Sequence, residues 1–175
     1  MKKLLIVVDY QKDFVSGSLG FKKAQDLEIY ISDLIEKYHK EDHDVLFTLD
    51  THDKNYMESQ EGKNLPIVHC IKVSDGWNLY GKVNEVKQTQ DKCIEKKTFG
   101  SLELGNYLID KIYEEITLVG VVSNICVLSN AIIVKSALPE TPIYIDLKGI
   151  ASNDSSLESK TIALLKNLQF HIINE

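Results

Sequence analysis

Short apolar, β-branched runs alternating with longer amphipathic ones are the feature that most narrows what this chain can become. Leu4 to Val8, Val45 to Leu49, Lys92 to Glu95, Ile116 to Val121, Ile143 to Ile145 and Phe170 to Ile173 have the length and residue types of strands. Between them, a 3.6-residue period predicts helices over about Ala24 to Lys40, near Leu102 to Tyr113, from about Ser123 to Ala137 and from about Ser155 to Asn167. Strands that alternate with helices imply crossover connections, which produce a parallel sheet covered on both faces. The expectation is therefore an α/β fold in three αβα layers around a doubly wound, mostly parallel six-stranded sheet.

A chain of 175 residues with no linker, repeat or low-complexity block is expected to be a single domain over 1–175. Lys plus Arg number 20 against 26 Asp plus Glu, a net charge of −6, and the lysines are dispersed. That balance argues against nucleic acid or an anionic membrane as a partner. The first apolar run stops at Asp9 and no small-residue cleavage site follows, so it reads as a strand and not a leader. No stretch approaches the roughly 18 apolar residues of a membrane span. Cys70, Cys93 and Cys126 are odd in number and too few for a disulfide framework, so a cytoplasmic protein is expected.

In doubly wound sheets the chemistry sits outside the carboxyl ends of the strands. Those ends carry Asp9, Asp50, Lys96 and the turn from Gly120 to Cys126. Cys126 opens a helix, whose N-terminal field favours thiolate, and a nearby Lys96 would favour it further. Asp9 is placed to take the thiol proton, and the turn amides to form an oxyanion hole. The bland alternative is a small buried hydrophobe at Cys126. Asp50 and His52 share a face of an extended segment, His69 follows in the same connection, and Glu61 lies between them. Such a set suits a divalent metal, Zn, Fe or Mn, unless the D-x-H is a turn cap and His69 a core histidine. The connection from Thr51 to Asp91 is long enough to form part of a pocket. Phe14 and Trp77 are candidate aromatic walls, with core packing as the commoner role. His39, His43 and His171 read as structural or solvated.

Four segments, LLIVVDYQKDF, FTLDTH with VHC, IEKKTFGS and GVVSNICV, resemble the ordered motifs of the isochorismatase-like cysteine hydrolases, and within them the nicotinamidase/pyrazinamidase branch. The resemblance implies an isochorismatase-like fold with Asp9 as general base and acid, Lys96 as the cation and Cys126 as the nucleophile. It implies Asp50, His52 and His69 as metal ligands, a cis peptide between Val121 and Val122, and an oxyanion hole from the amides of Val122 and Cys126. Lys97 is adjacent, but Lys96 stands three before Phe99, where the family usually has tyrosine. The chain departs from that branch at Leu65-Pro66-Ile67-Val68-His69, which lacks the usual tryptophan beside paired prolines, and at Phe99-Gly100-Ser101 in place of Tyr-Ser-Ala. Those departures touch the substrate more than the reaction. The implied activity is a metal-containing cysteine amidohydrolase that cleaves a small, nicotinamide-like carboxamide to acid and ammonia through a thioester. Its implied partners are that amide and further copies of itself in a homo-oligomer. The alternatives are a metal-free hydrolase of another C–N or enol-ether bond, and a non-catalytic receiver-type signalling domain.

Overall fold

In the computed structural model, which describes residues 1–175, β1 (Leu4–Val8) has all five residues buried, as an apolar run covered on both faces must be. A short helix α1 (Lys12–Val15) follows, then α2 (Lys22–Asp26) and α3 (Glu28–Lys40), which leads into β2 (Asp44–Asp50). The long connection that follows holds α4 (Gln60–Asn64) and α5 (Gly81–Val86), with single 3-10 turns at Tyr56–Glu58 and Asp75–Trp77. Next come β3 (Lys92–Lys96), α6 (Leu102–Leu108), β4 (Ile116–Val121), a π-helical turn at Ser123–Val127 that runs into α7 (Leu128–Ala137), β5 (Ile143–Ala151), α8 (Ser155–Asn167) and β6 (His171–Ile173).

The six strands lie in the order β3-β2-β1-β4-β5-β6 and all their pairings are parallel. One core layer joins Leu5, Val7 and Phe47 to Ile31 and Ile35 of α3 and Val83 of α5. The other joins Ile6, Val8 and Leu118 to Leu104 of α6, Val127, Ala131 and Val134 beside and within α7, and Leu165 of α8. Strand order reverses between β1 and β4, and the carboxyl ends on either side of that reversal are Asp9 and the turn after Val121. No helix is long and apolar enough to cross a membrane.

Several expected boundaries shift, each for a local reason. The helix expected over Ala24 to Lys40 is two helices that meet at Leu27. The one expected near Leu102 to Tyr113 ends at Leu108; Ile109 and Ile112 beyond it are exposed, while Tyr113 turns inward to donate its hydroxyl to Asp44. The strand expected over Ile143 to Ile145 runs on to Ala151, because Asp146 and Lys148 occupy strand positions where the register with β4 shifts. The helix expected from Ser123 begins as a π turn.

Gly120 brings β4 against β1 at the reversal. It has a φ of +116°, and a Cβ there would lie 2.0 Å from the Val8 carbonyl oxygen. Glycine alone accepts both conditions. Gly120→Ala is expected to lose about 2–5 kcal/mol of stability, the sum of backbone strain and overpacking. A urea midpoint unchanged from the wild type would contradict this packing.

Candidate active site

Asp9 leaves β1 with a φ of 46°, a left-handed conformation uncommon outside glycine, Asn and Asp, and its side chain is fully buried. One carboxylate oxygen accepts from Thr48 Oγ1 at 2.7 Å; the other lies 2.6 Å from Lys96 Nζ. Asp50 and Lys96 are direct neighbours in the β2–β3 register, so their side chains emerge on the same side of the sheet. Lys96 Nζ donates to Asp50 Oδ1 at 3.2 Å and to Thr98 O at 2.9 Å, and lies 3.7 Å from Cys126 Sγ. The Lys96 side chain is 1% exposed and that of Lys97 86% exposed, so the site holds the first of the two adjacent lysines.

Burial and the charges of Asp9 and Asp50 push the Cys126 thiol well above its ordinary range, against the opposing pull of Lys96. The helix N-terminus and Lys96 are expected from the sequence to favour thiolate; the lysine is in place, but desolvation and the adjacent carboxylates weigh against the charged form. Burial likewise pushes Asp9 up, with Lys96 opposing and Asp50 adding to the rise. Burial disfavours the Lys96 ammonium, yet the carboxylates of Asp9 and Asp50 hold it charged. Burial thus favours the neutral thiol and raises the proton affinity of the carboxyl group beside it, an arrangement suited to passing one proton back and forth.

Beside this group stand Asp50, His52, Glu61 and His69, whose ligand atoms all lie within 4.8 Å of one another. His52 Nε2 is 2.9 Å from Asp50 Oδ2 and 3.6 Å from Glu61 Oε1, and His69 Nε2 is 3.4 and 3.7 Å from the same two atoms. Ligand atoms bound about 2.1 Å from a common ion stand at such separations. His52 Nε2 is buried and makes no properly directed hydrogen bond, while His69 Nδ1 lies 2.7 Å from the Ile67 carbonyl, which leaves Nε2 facing the cluster. Burial alone would raise Asp50, but His52, His69 and Lys96 hold it well below the usual carboxylate range. The donor set fits a divalent cation. Tyr56 packs its ring 4.7 and 4.9 Å from the two imidazoles.

A cavity of about 190 Å³ opens onto both groups, lined among others by Phe14, Leu65, Phe99, Val122, Ile125 and Cys126, with Asp50, Glu61 and His69 at one side. Phe14 leans on the His69 ring at 5.4 Å. Trp77, expected as a second wall, is not in that lining: its indole N–H donates to Thr51 Oγ1 at 2.8 Å and its ring packs against the core layer beneath the connection. The Val121–Val122 peptide is cis. His39 pairs with Asp91 at 2.9 Å, far along the sheet from these groups, in line with a structural role.

Sequence reasoning passed over the residues that brace the site. Gln11 donates to the Asp50 carbonyl at 2.9 Å and accepts from the Asp50 amide at 2.8 Å, fixing the end of β2 to the end of β1. Asp13 accepts from the Cys70 amide at 2.7 Å, which anchors the segment that carries His69. Both lie in the quoted segment LLIVVDYQKDF, and Thr48 in FTLDTH, whose polar positions were the available signal; Tyr56 looks like an ordinary core residue and gave none.

A model of the isochorismatase domain matches residues 3–166. A nicotinamidase of Saccharomyces cerevisiae is 26% identical, covering 99% of this chain and all of its own. An uncharacterized isochorismatase family protein, PncA, of Bacillus subtilis is 31% identical over 75% of this chain and 78% of its own. Among solved structures, the pyrazinamidase of Pyrococcus horikoshii in complex with zinc superposes with a TM-score of 0.86 at 19% identity, covering 100% of both chains.

Proposed function

The chain belongs to the isochorismatase family, and from that premise we propose that it is a metal-containing cysteine amidohydrolase that cleaves a small carboxamide, nicotinamide-like in size and shape, to the carboxylic acid and ammonia. The observation that carries this reading is the meeting of Asp9, Lys96 and Cys126 beside the Asp50 cluster, with Cys126, Asp50, Glu61 and His69 lining one cavity. Kinship with a nicotinamidase favours amide hydrolysis over the enol-ether alternative, and family membership displaces the receiver-type reading.

In the reaction, Asp9 takes the Cys126 thiol proton as sulfur attacks the carboxamide carbon. The amides of Val122 and Cys126 hold the oxyanion. Collapse of the tetrahedral species breaks the C–N bond, and Asp9 returns its proton to the departing nitrogen, so ammonia leaves and a thioester remains. Asp9 then takes a proton from water, whose oxygen attacks the thioester, and the acid is released as the thiol is restored. Lys96 stays charged throughout and offsets the negative charge that collects between Asp9 and the sulfur. A divalent ion held by Asp50, His52, Glu61 and His69 would supply a Lewis-acid anchor for a substrate ring nitrogen or carbonyl. The apolar walls Phe14, Leu65 and Phe99 would hold a flat ring in a space of about 190 Å³, too small for a peptide. We place the enzyme in the cytoplasm, as a homo-oligomer of single-domain subunits.

The test is ammonia release from a panel of small amides, nicotinamide and pyrazinamide included, by protein as purified, after a chelator and after addition of Zn, Fe or Mn. Expected is turnover of at least one aromatic carboxamide, lost with the chelator and restored by one of the metals. Elemental analysis showing no metal, combined with full activity in chelator, would overturn the metal assignment; no ammonia from any amide would overturn the reaction.

A further inference from the structure

Asn130 lies in α7, completely buried, and its side-chain amide touches two segments at once. Nδ2 donates to the Cys126 carbonyl at 2.8 Å and to the Phe99 carbonyl at 3.0 Å, and Oδ1 accepts from the Ser101 amide at 3.0 Å. Three of the four hydrogen-bonding positions of an amide are thus filled inside the protein. A leucine would serve the packing of a helix at lower cost, since a buried amide is tolerated only when paired. What the amide adds is geometry.

The segment it grips carries Phe99, whose ring walls the cavity while 45% exposed, so the ring is held by its backbone more than by core packing. Gly100 presses that backbone onto α7: a Cβ there would stand 2.7 Å from Ile133 Cδ1. At the near end of the segment the Lys96 ammonium donates to the Thr98 carbonyl. We propose that Asn130 is a positioning residue that clamps the Cys126 turn to the Thr98–Ser101 segment, so that sulfur and Phe99 ring keep a fixed spacing across the substrate cavity. The proposal rests on the reading of Cys126 as the nucleophile.

The test compares wild type with Asn130→Ala and Asn130→Thr by three measurements. These are the rate of iodoacetamide alkylation at Cys126, followed by peptide mass spectrometry, kcat and KM for nicotinamide, and the melting temperature. Alanine removes all three bonds, and both a slower alkylation and a higher KM are expected, each by about tenfold. Threonine in a helix can bond its hydroxyl back to the carbonyl four residues earlier, which here is that of Cys126, but it is too short to reach the Phe99 and Ser101 groups. Asn130→Thr should therefore return alkylation to within roughly twofold of wild type while KM stays raised. If the two variants only melt earlier, with alkylation and KM of the folded protein unchanged, the residue is structural and the clamp is wrong. Threonine that restores both readouts, or neither, also overturns it. Should wild type release no ammonia from any amide, the proposed function fails separately, and the alkylation contrast between the two variants then decides the clamp alone.

Discussion

Cys126→Ala should abolish ammonia release, lowering kcat by about four to six orders of magnitude, as removal of a covalent nucleophile does elsewhere. The same variant should keep its metal content, because Asp50, His52, Glu61 and His69 do not depend on the sulfur for their placement. Measuring both on one preparation separates the two halves of the site. A variant that still turned over at the wild-type rate would show that the hydrolysis runs without the thiol and would transfer the reaction to the metal group.

Lys96→Met should have the largest effect on folding. The ammonium sits 2.6 Å from Asp9 and 3.2 Å from Asp50, with its side chain 1% exposed, and methionine fills the same space without the charge. Two buried carboxylates are then left facing each other, and removal of one partner from a buried ionic group costs about 3–5 kcal/mol. The deficit has a pH signature. Burial, with the nearby Asp50 charge, already pushes Asp9 above its unfolded value, and without Lys96 only the Thr48 hydroxyl opposes that rise. A carboxyl whose folded pKa exceeds its unfolded one binds its proton more readily in the folded state, so stability falls as pH increases through that range. The difference between variant and wild type should accordingly be greatest at neutral pH and shrink toward pH 5 in urea titrations. Lys97→Met serves as the control: its side chain is 86% exposed and 4.0 Å from Asp53, and a change within about 0.5 kcal/mol is expected. Equal effects from the two lysines would contradict the assignment.

How much of this was legible before coordinates varies with the kind of residue. The inner strands β1, β2 and β4 announced themselves as apolar runs, since burial on both faces leaves no alternation to misread, whereas the edge strands β3 and β6 are short and partly exposed. The second half of β5 hid because Asp146, Lys148 and Gly149 interrupt its apolar character, and only pairing with β4 makes those positions extended. The short helices α4 and α5 hid for a related reason: stretches of five or six residues are set by what they pack on more than by propensity. Asp9, Lys96 and Cys126 could be nominated from strand ends, but their approach to one another depends on β1 lying between β2 and β4, which no residue type encodes. The thiol's environment was the less legible part, because charge neighbours are visible in a sequence and depth of burial is not. Trp77 was nominated as an aromatic in the right connection, yet its indole N–H required a partner and found Thr51 away from the cavity.

The connection between β2 and β3 brings Glu61, Leu65 and His69 to the cavity and is tied at the rim by Asp13 to Cys70, Gln11 beside Leu79 and Lys12 to Asp75, with further ties from Ser18 to Val68, Glu28 to the Lys82 amide and Glu95 to Lys72, and with Val83 packed against α3. The first three of those ties start from the short stretch after β1. This part of the chain is in effect an exchangeable cassette, docked on a base plate that carries the sulfur and its proton acceptor. Divergence of residues 51–91 can retune which molecule is admitted while the bond-breaking apparatus stays put, and a graft of that cassette from a relative has to bring matching residues at positions 11–13, at Ser18, Glu28 and Glu95, and on the face of α3 that receives Val83.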